Sequence, residues 1–445
     1  MTQSVADKPP TWSQRFAAWR HALAIYRDPR MLVVLGMGFA SGLPLLLTLS
    51  TLSYWLSKVG VDKTSIGLFS LVGIPYAFKF AWSPLVDHLH IPVLGRLLGR
   101  RRSWILVTQI ALAAAIVAMG WTDPQTGPLY TAIAALVVAF LSATQDIAID
   151  AYRIEILTDD EQGGGAAATQ LGYRLGLLAA GAGALALSDV VEWRFVFIAL
   201  GALMATSIVI TLLAPEPQPV EAPRDKSRAL PPLIDRLKVM VLDPLLDFMR
   251  RPASIVILAF VLLYKFGDAI GGVMANPFYN ELGFTGLEIA AITKIFGVVA
   301  TLAGVAIGGI IVARYGVMRA LLVGGILQAV SNLLFSLQAL IGHDTAMLAV
   351  SIGGDNFTGG IGSAAFVAYL SMLCNRAFTA TQYALLTSFM AVGRTLLASG
   401  GGWLADNVDW VSFFALTALL AIPGLLLLFY LWRLDRKPSA AQRIG

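Results

Sequence analysis

Residues 193–266 read WRFVFIALGALMATSIVITLLAPEPQPVEAPRDKSRALPPLIDRLKVMVLDPLLDFMRRPASIVILAFVLLYKF. An apolar run opens this stretch (193–214) and another closes it (from 253). A membrane-spanning helix needs about 20 mostly apolar residues, so each run is a span. Between them lie Pro215, Pro217, Pro219, Pro223, Pro231 and Pro232, together with Arg224, Lys226, Arg228, Arg236, Lys238, Arg250 and Arg251. A proline-rich, basic segment cannot enter lipid, and positive loops stay on the cytoplasmic side. The reading is two membrane blocks joined by a cytoplasmic linker, 215–252.

Working outward, the same criterion marks spans at 31–57, 64–85, 103–121, 129–155 and 165–188 before the linker. After it come 253–279, 286–313, 317–340, 345–373, 379–405 and 409–432. With 193–214 this predicts an all-α polytopic membrane protein of about twelve transmembrane helices in two six-helix halves, 31–214 and 253–432. Hydrophobic residues form 57% of the chain and charged residues 13%, about half the charge of a soluble domain. Mean hydropathy is +0.73, so lipid is the solvent for most of the chain. The first run, from Met31, is long enough to span and is expected to remain in the mature protein rather than serve as a cleaved signal.

Loop charges set the orientation. Lys8, Arg15, Arg20, Arg27 and Arg30 occupy the N-terminal tail (1–30), and Arg96, Arg100, Arg101 and Arg102 follow the second span. Arg153 ends the fourth. The linker, Arg314, Arg319, Arg376 and the C-terminal tail (433–445) add to the same side. The other side has Lys58, Lys63 and Arg194. Both termini are therefore predicted to be cytoplasmic. Within the tail, Trp12, Phe16, Trp19 and Leu23 recur at helical spacing among basic residues, which fits either a helix in the headgroup plane or a plain tail.

Several chemistries are excluded. No G-x-x-x-x-G-K-[ST] loop occurs. Cys374 is the single cysteine, so no disulfide or thiolate metal cluster forms within the chain. No nucleophile–base pair or metal set appears, and no enzyme, cofactor, metal or nucleic-acid role is expected. The glycines of GMGFASG (36–42) and of the fifth span are read as close helix packing.

What remains is charge inside spans: Lys79, Arg174, Lys265, Lys294 and Arg394, with Asp146, Asp150, Asp268 and Asp355. Each costs at least about 2.5–3.5 kcal/mol to insert, so such groups persist where they meet water, a partner or a substrate. Cations outnumber acids by one, which suits an anionic cargo. Lys265 and Asp268 share a helix face at i, i+3, as do Asp146 and Asp150 at i, i+4. Lys79, Asp146, Asp150 and Arg174 count to the cytoplasmic half, Lys265, Asp268 and Asp355 to the midplane, and Lys294 and Arg394 to middle or outer depth. The four acids are candidates for proton coupling or for static ion pairing. The five cations, with Tyr264 and Trp82, are candidates for substrate contact, against internal pairing or an interfacial belt. Asp87, with Arg101 and Arg102, is expected to tether a cytoplasmic gate.

A 6+6 division around a long linker resembles the major facilitator superfamily. SPLVDHL followed by GRRRSW after the second span, and GGIIVARYGVMRAL after the eighth, resemble its loop signature in two copies, with Asp87 in the first and Ala313 where the second would carry an acid. GFASGLPLLL, TSIGLFSLVGIPYAFKFAWSPLVD, SATQDIAIDAYRIEIL, LLYKFGDAI, TKIFGVVAT and DNFTGGIGSAAFVAYLSMLCNRAFTATQYALLTSFMAVGRTLL resemble the AmpG family of muropeptide permeases over roughly 31–430. The resemblance covers the positions of Lys265 and Asp268, Lys294, Asp146 and Asp150, and Asp355. It implies a monomer in the bacterial inner membrane that imports GlcNAc–anhydro-MurNAc, often with a stem peptide, driven by protons. It implies a place in peptidoglycan recycling and, in some bacteria, in β-lactamase induction. Uptake of another large anion, such as a siderophore or nucleotide conjugate, and a non-transporting sensor of wall fragments remain alternatives.

Overall fold

The structure is a computed structural model that describes residues 27–61, 65, 68–218, 242–398 and 400–435. The Trp12–Leu23 segment, residues 219–241 of the linker and the tail beyond 435 lie outside the described residues. All regular structure among the described residues is helical.

The first block comprises α1 (Pro29–Leu47, continuing as Ser50–Lys58), α2 (segments from Ser70–Gly73 to Ser83–His88), α3 (Arg100–Gly120), α4 (Pro128–Ile156), α5 (Gln162–Leu178, continuing to Ser188) and α6 (Trp193–Leu213). The second comprises α7 (Ser254–Leu263 and Phe266–Glu281), α8 (Gly286–Ala291 through Gly297–Tyr315), α9 (Val317–Ile341), α10 (Thr345–Met372), α11 (Thr379–Ala398) and α12 (Trp410–Leu419 and Ile422–Asp435). Local chemistry starts these helices. The Asp28 carboxylate caps α1 by accepting from Arg30 N–H at 2.7 Å, with Pro29 next to it. Asp344 caps α10 and Asp409 caps α12 in the same way. These side chains satisfy amides that the helix leaves unpaired.

Among the described residues, nine helices are long and apolar enough to cross a membrane. The other expected spans depart from a continuous apolar rod for visible reasons. Pro75 and Pro84 lack the N–H that a helix interior needs, and α2 passes through 3₁₀ turns at Ser70–Gly73 and Lys79–Ala81. The two helices Thr345–Met372 and Arg376–Arg394 meet at 96°. α5 and α8 each carry a π-helical turn, at Ala179–Gly183 and Ile292–Phe296.

The glycine-rich stretches do pack closely. A β-carbon on Gly38 would lie 2.9 Å from Thr169 Cα, and one on Gly42 2.9 Å from Tyr173 Cα. From the other side, one on Gly172 would lie 2.8 Å from Phe39 N and one on Gly176 2.7 Å from Leu43 N. α1 and α5 thus touch backbone to backbone, as small residues allow. α8 and α10 do the same through Gly304, against Phe357, and Gly360, against Thr301. Gly99 before α3 (φ +87°) and Gly316 before α9 (φ +83°) hold the same left-handed turn, one in each copy of the loop signature. That conformation is open to glycine at no steric cost.

Candidate functional site

α4 carries Asp146, Asp150 and Arg153 within two turns. Asp146 accepts a hydrogen bond from the Ser41 hydroxyl of α1. Lys79, on the 3₁₀ turn of α2, places Nζ 4.0 Å from Asp150 Oδ2. Arg153 places NH2 3.8 Å from Asp150 Oδ1. The structure therefore brings together Lys79, Asp146 and Asp150 from three of the expected positions. Arg153, counted above with the loop cations, is only 1% exposed. Its other contacts lie across the molecule: NH1 donates to Ser371 Oγ of α10 at 2.8 Å, and the guanidinium sits over the Tyr383 ring of α11 at 5.3 Å.

The second block holds a matching cluster. α7 breaks at Tyr264–Lys265, and Lys265 Nζ reaches Asp268 Oδ2 at 3.7 Å, as the i, i+3 spacing predicts. The same ammonium lies 3.2 Å from Ser363 Oγ and 3.5 Å from the Gly359 carbonyl of α10. Asp355 of α10 accepts from Gln328 Nε2 of α9 at 2.9 Å. Gln328 and Ser363 carry no charge, so the sequence offered no sign of them. Irregular backbone at membrane depth is tolerated where it is buried in protein or lines a wet cavity, and Lys79, Lys265 and Lys294 all sit at such irregularities.

The remaining expected residues are dispersed. Arg174 and Arg394 are exposed, and neither enters an ion pair among the described residues. The side chain of Lys294 lies outside the described ones. Trp82 donates its indole N–H to Thr144 Oγ1 at 3.1 Å and packs on Phe140. Tyr264 is buried, stacks on Phe366 and donates to the Leu321 carbonyl at 2.8 Å. Among the described residues, no group of three His, Cys, Asp or Glu side chains converges to hold a metal.

At the arginine-rich end the two blocks are tied together. Asp87, 2% exposed, pairs with Arg101 at 2.7 Å. It also accepts from Ala380 N at 3.1 Å, Thr381 N at 2.8 Å and Thr381 Oγ1 at 2.6 Å, capping the start of α11 in the other block. Arg101 also pairs with Glu155 at 2.5 Å. Glu216 caps α3 by accepting from Arg101 and Arg102 amides at 2.8 and 3.0 Å, and its burial raises its pKa. The Arg102 guanidinium in turn donates to the Thr211 and Leu212 carbonyls at the end of α6. Arg376 reaches Leu157 O and Asp159 across the same seam.

The Major Facilitator Superfamily model matches residues 32–266 and 256–444. The fold agrees: the proton:xylose symporter XylE bound to 6-bromo-6-deoxy-D-glucose superposes with a TM-score of 0.64 at 12% identity, over 93% of this chain and 96% of that one. The human organic anion transporter MFSD10 superposes at 0.62 and 16% identity, over 95% and 100%. The class is thus a multi-pass membrane transporter of that superfamily, not an enzyme. Sequence comparison narrows it. The anhydromuropeptide permease of Escherichia coli K12 is 41% identical over 408 residues, 91% of this chain and 80% of that protein. Putative transporter AmpG 4 of Rickettsia conorii is 36% identical over 411 residues, 92% and 97%. The chain belongs to the AmpG-like permeases of the Major Facilitator Superfamily.

Proposed function

We propose that the protein is a proton-coupled importer of GlcNAc–anhydro-MurNAc and its peptide conjugates, carrying them from periplasm to cytoplasm across the bacterial inner membrane for peptidoglycan recycling. The observation that carries this reading is the pair of largely half-buried lysine–aspartate clusters, one in each block. Lys79–Asp150 lies beside Asp146, and Lys265–Asp268 shares the second block with Asp355. In a transporter that alternates access, substrate and coupling-ion sites lie near the midplane between two moving halves. The 41% identity to an anhydromuropeptide permease supports the cargo.

The arginine-rich end is cytoplasmic in this reading. With Asp87 capping α11, the molecule is sealed toward the cytoplasm and poised to accept cargo from the other side. Arg174 and Arg394, free of ion pairs among the described residues, offer guanidinium groups to the cargo's carboxylates. Asp268 carries the proton. Protonation frees Lys265 from its 3.7 Å partner, so the charge seen by an anionic cargo changes as the proton arrives.

The test is uptake of labelled anhydro-disaccharide into vesicles with and without an imposed pH gradient. Gradient-driven accumulation that is lost in Asp268→Asn supports the assignment. Uptake indifferent to the gradient removes the proton coupling. Failure of the disaccharide to compete, with uptake of another large anion, removes the cargo.

A further inference from the structure

Arg153 is buried to 1% exposure, yet its Nε and NH2 have no hydrogen-bond partner. One end of its guanidinium faces the charge of Asp150 in its own block at 3.8 Å, and the other bonds Ser371 of the opposite block at 2.8 Å. We infer that Arg153 is a positioning residue that couples the charge on Asp150 to the closed seam between the two blocks. The inference deepens the proton-coupled reading above and rests on it only for the purpose of the coupling.

The physical argument is one of desolvation. A buried guanidinium is tolerated while a carboxylate offsets its charge, and removing that partner leaves an uncompensated charge in a dry site. Asp150 divides itself between Lys79 at 4.0 Å and Arg153 at 3.8 Å. The remaining ionisable neighbours are Asp146 on α4, Tyr383 on α11, and Cys374 with Arg251 and Asp87 around it. When Asp150 takes a proton, Lys79 keeps Asp146 nearby, whereas Arg153 is left with Ser371 and the Tyr383 ring. Hydrating Arg153 then requires the seam to part. Protonation on one side of the guanidinium is in this way converted into separation of α4 from α10 and α11.

Cys374 reports on this directly. It is the chain's single cysteine, is half-buried and follows α10 just beyond Ser371. In purified, detergent-solubilised full-length protein, the rate of Cys374 alkylation by a maleimide is measured against a free thiol between about pH 8 and about pH 5. The normalised rate should rise roughly tenfold as pH falls, as a seam that opens on protonation of Asp150 requires. Asp150→Asn should react fast and Arg153→Gln slowly, both without pH dependence, because the first strands the guanidinium charge and the second removes it, while Arg153→Lys keeps the response. Should Arg153→Gln fail to fold, Ser371→Ala removes the far bond and should raise the rate at high pH. A pH response that persists in Arg153→Gln or Asp150→Asn overturns the inference. So does a flat wild-type profile in a protein whose uptake is proton-driven. Uptake that ignores the gradient, with the Cys374 response intact, would instead sink the proton-coupled reading and leave the latch standing.

Discussion

Asp87 satisfies four donors at once, one on Arg101 and three at the start of α11. An alanine there would leave the buried Arg101 guanidinium with Glu155 as its one carboxylate partner among the described residues and uncap α11. Breaking a buried ion pair from one side costs about 3–5 kcal/mol, so Asp87→Ala should lower thermal stability in detergent by that order, and a melt unchanged from wild type would deny Asp87 its structural part. A milder test sits at the entry to α1. Arg30 donates to Asp28 and to Glu161, each at 2.6 Å, and its side-chain bond to Asp28 holds that carboxyl below its ordinary value. A carboxylate depressed by folding stabilises above its unfolded pKa and loses that contribution as pH falls through the folded one. The wild-type melting temperature should therefore fall more steeply below about pH 4 than that of Arg30→Met, and parallel profiles would refute the linkage. Charges of this kind were partly legible beforehand. The i, i+3 pairing of Lys265 with Asp268 follows from helix geometry alone. Arg153 did not, because it sits where an apolar run ends beside Glu155, and only packing against α10 and α11 buries it.

The elements were more legible than their interruptions. A glycine every fourth residue in α1, Gly38 and Gly42, and in α5, Gly172 and Gly176, announces a close crossing, and the backbones do meet there. Adding one methyl to such a contact forces atoms below van der Waals distance. Gly172→Ala should cost about 1–3 kcal/mol as an overpacked core does, whereas Gly272→Ala, whose β-carbon would meet nothing within 4 Å, should be neutral or better. Equal stability of the two variants, read by thermal melting, would refute the crossing. The breaks were less visible. Pro75 and Pro84 can be read off the chain, but a hydropathy window averages over them and returns one smooth α2. The π-helical turns of α5 and α8 carry no proline at all, so no residue type in the sequence marks them.

At the scale of the whole molecule, the seam at the arginine-rich end must open if cargo is to leave there. Sequence patterning reaches the existence of two blocks, through the proline-rich linker and the repeated Gly99 and Gly316 turns. It does not reach which end is shut, because that depends on contacts between residues hundreds of positions apart, such as Asp87 with Thr381. The rings of His88 and Phe378 face each other across this seam with centroids 6.3 Å apart. In a Cys374→Ser background, cysteines at these two positions (His88→Cys with Phe378→Cys), whose side chains already meet across the seam, should form a disulfide on oxidation. Oxidised protein should bind cargo but accumulate none in vesicles, and a reductant should restore uptake. Each single substitution controls for damage to the seam itself. If the cross-linked protein continues to accumulate cargo, the two blocks do not part at this end during transport, and the closed seam is scaffold rather than gate.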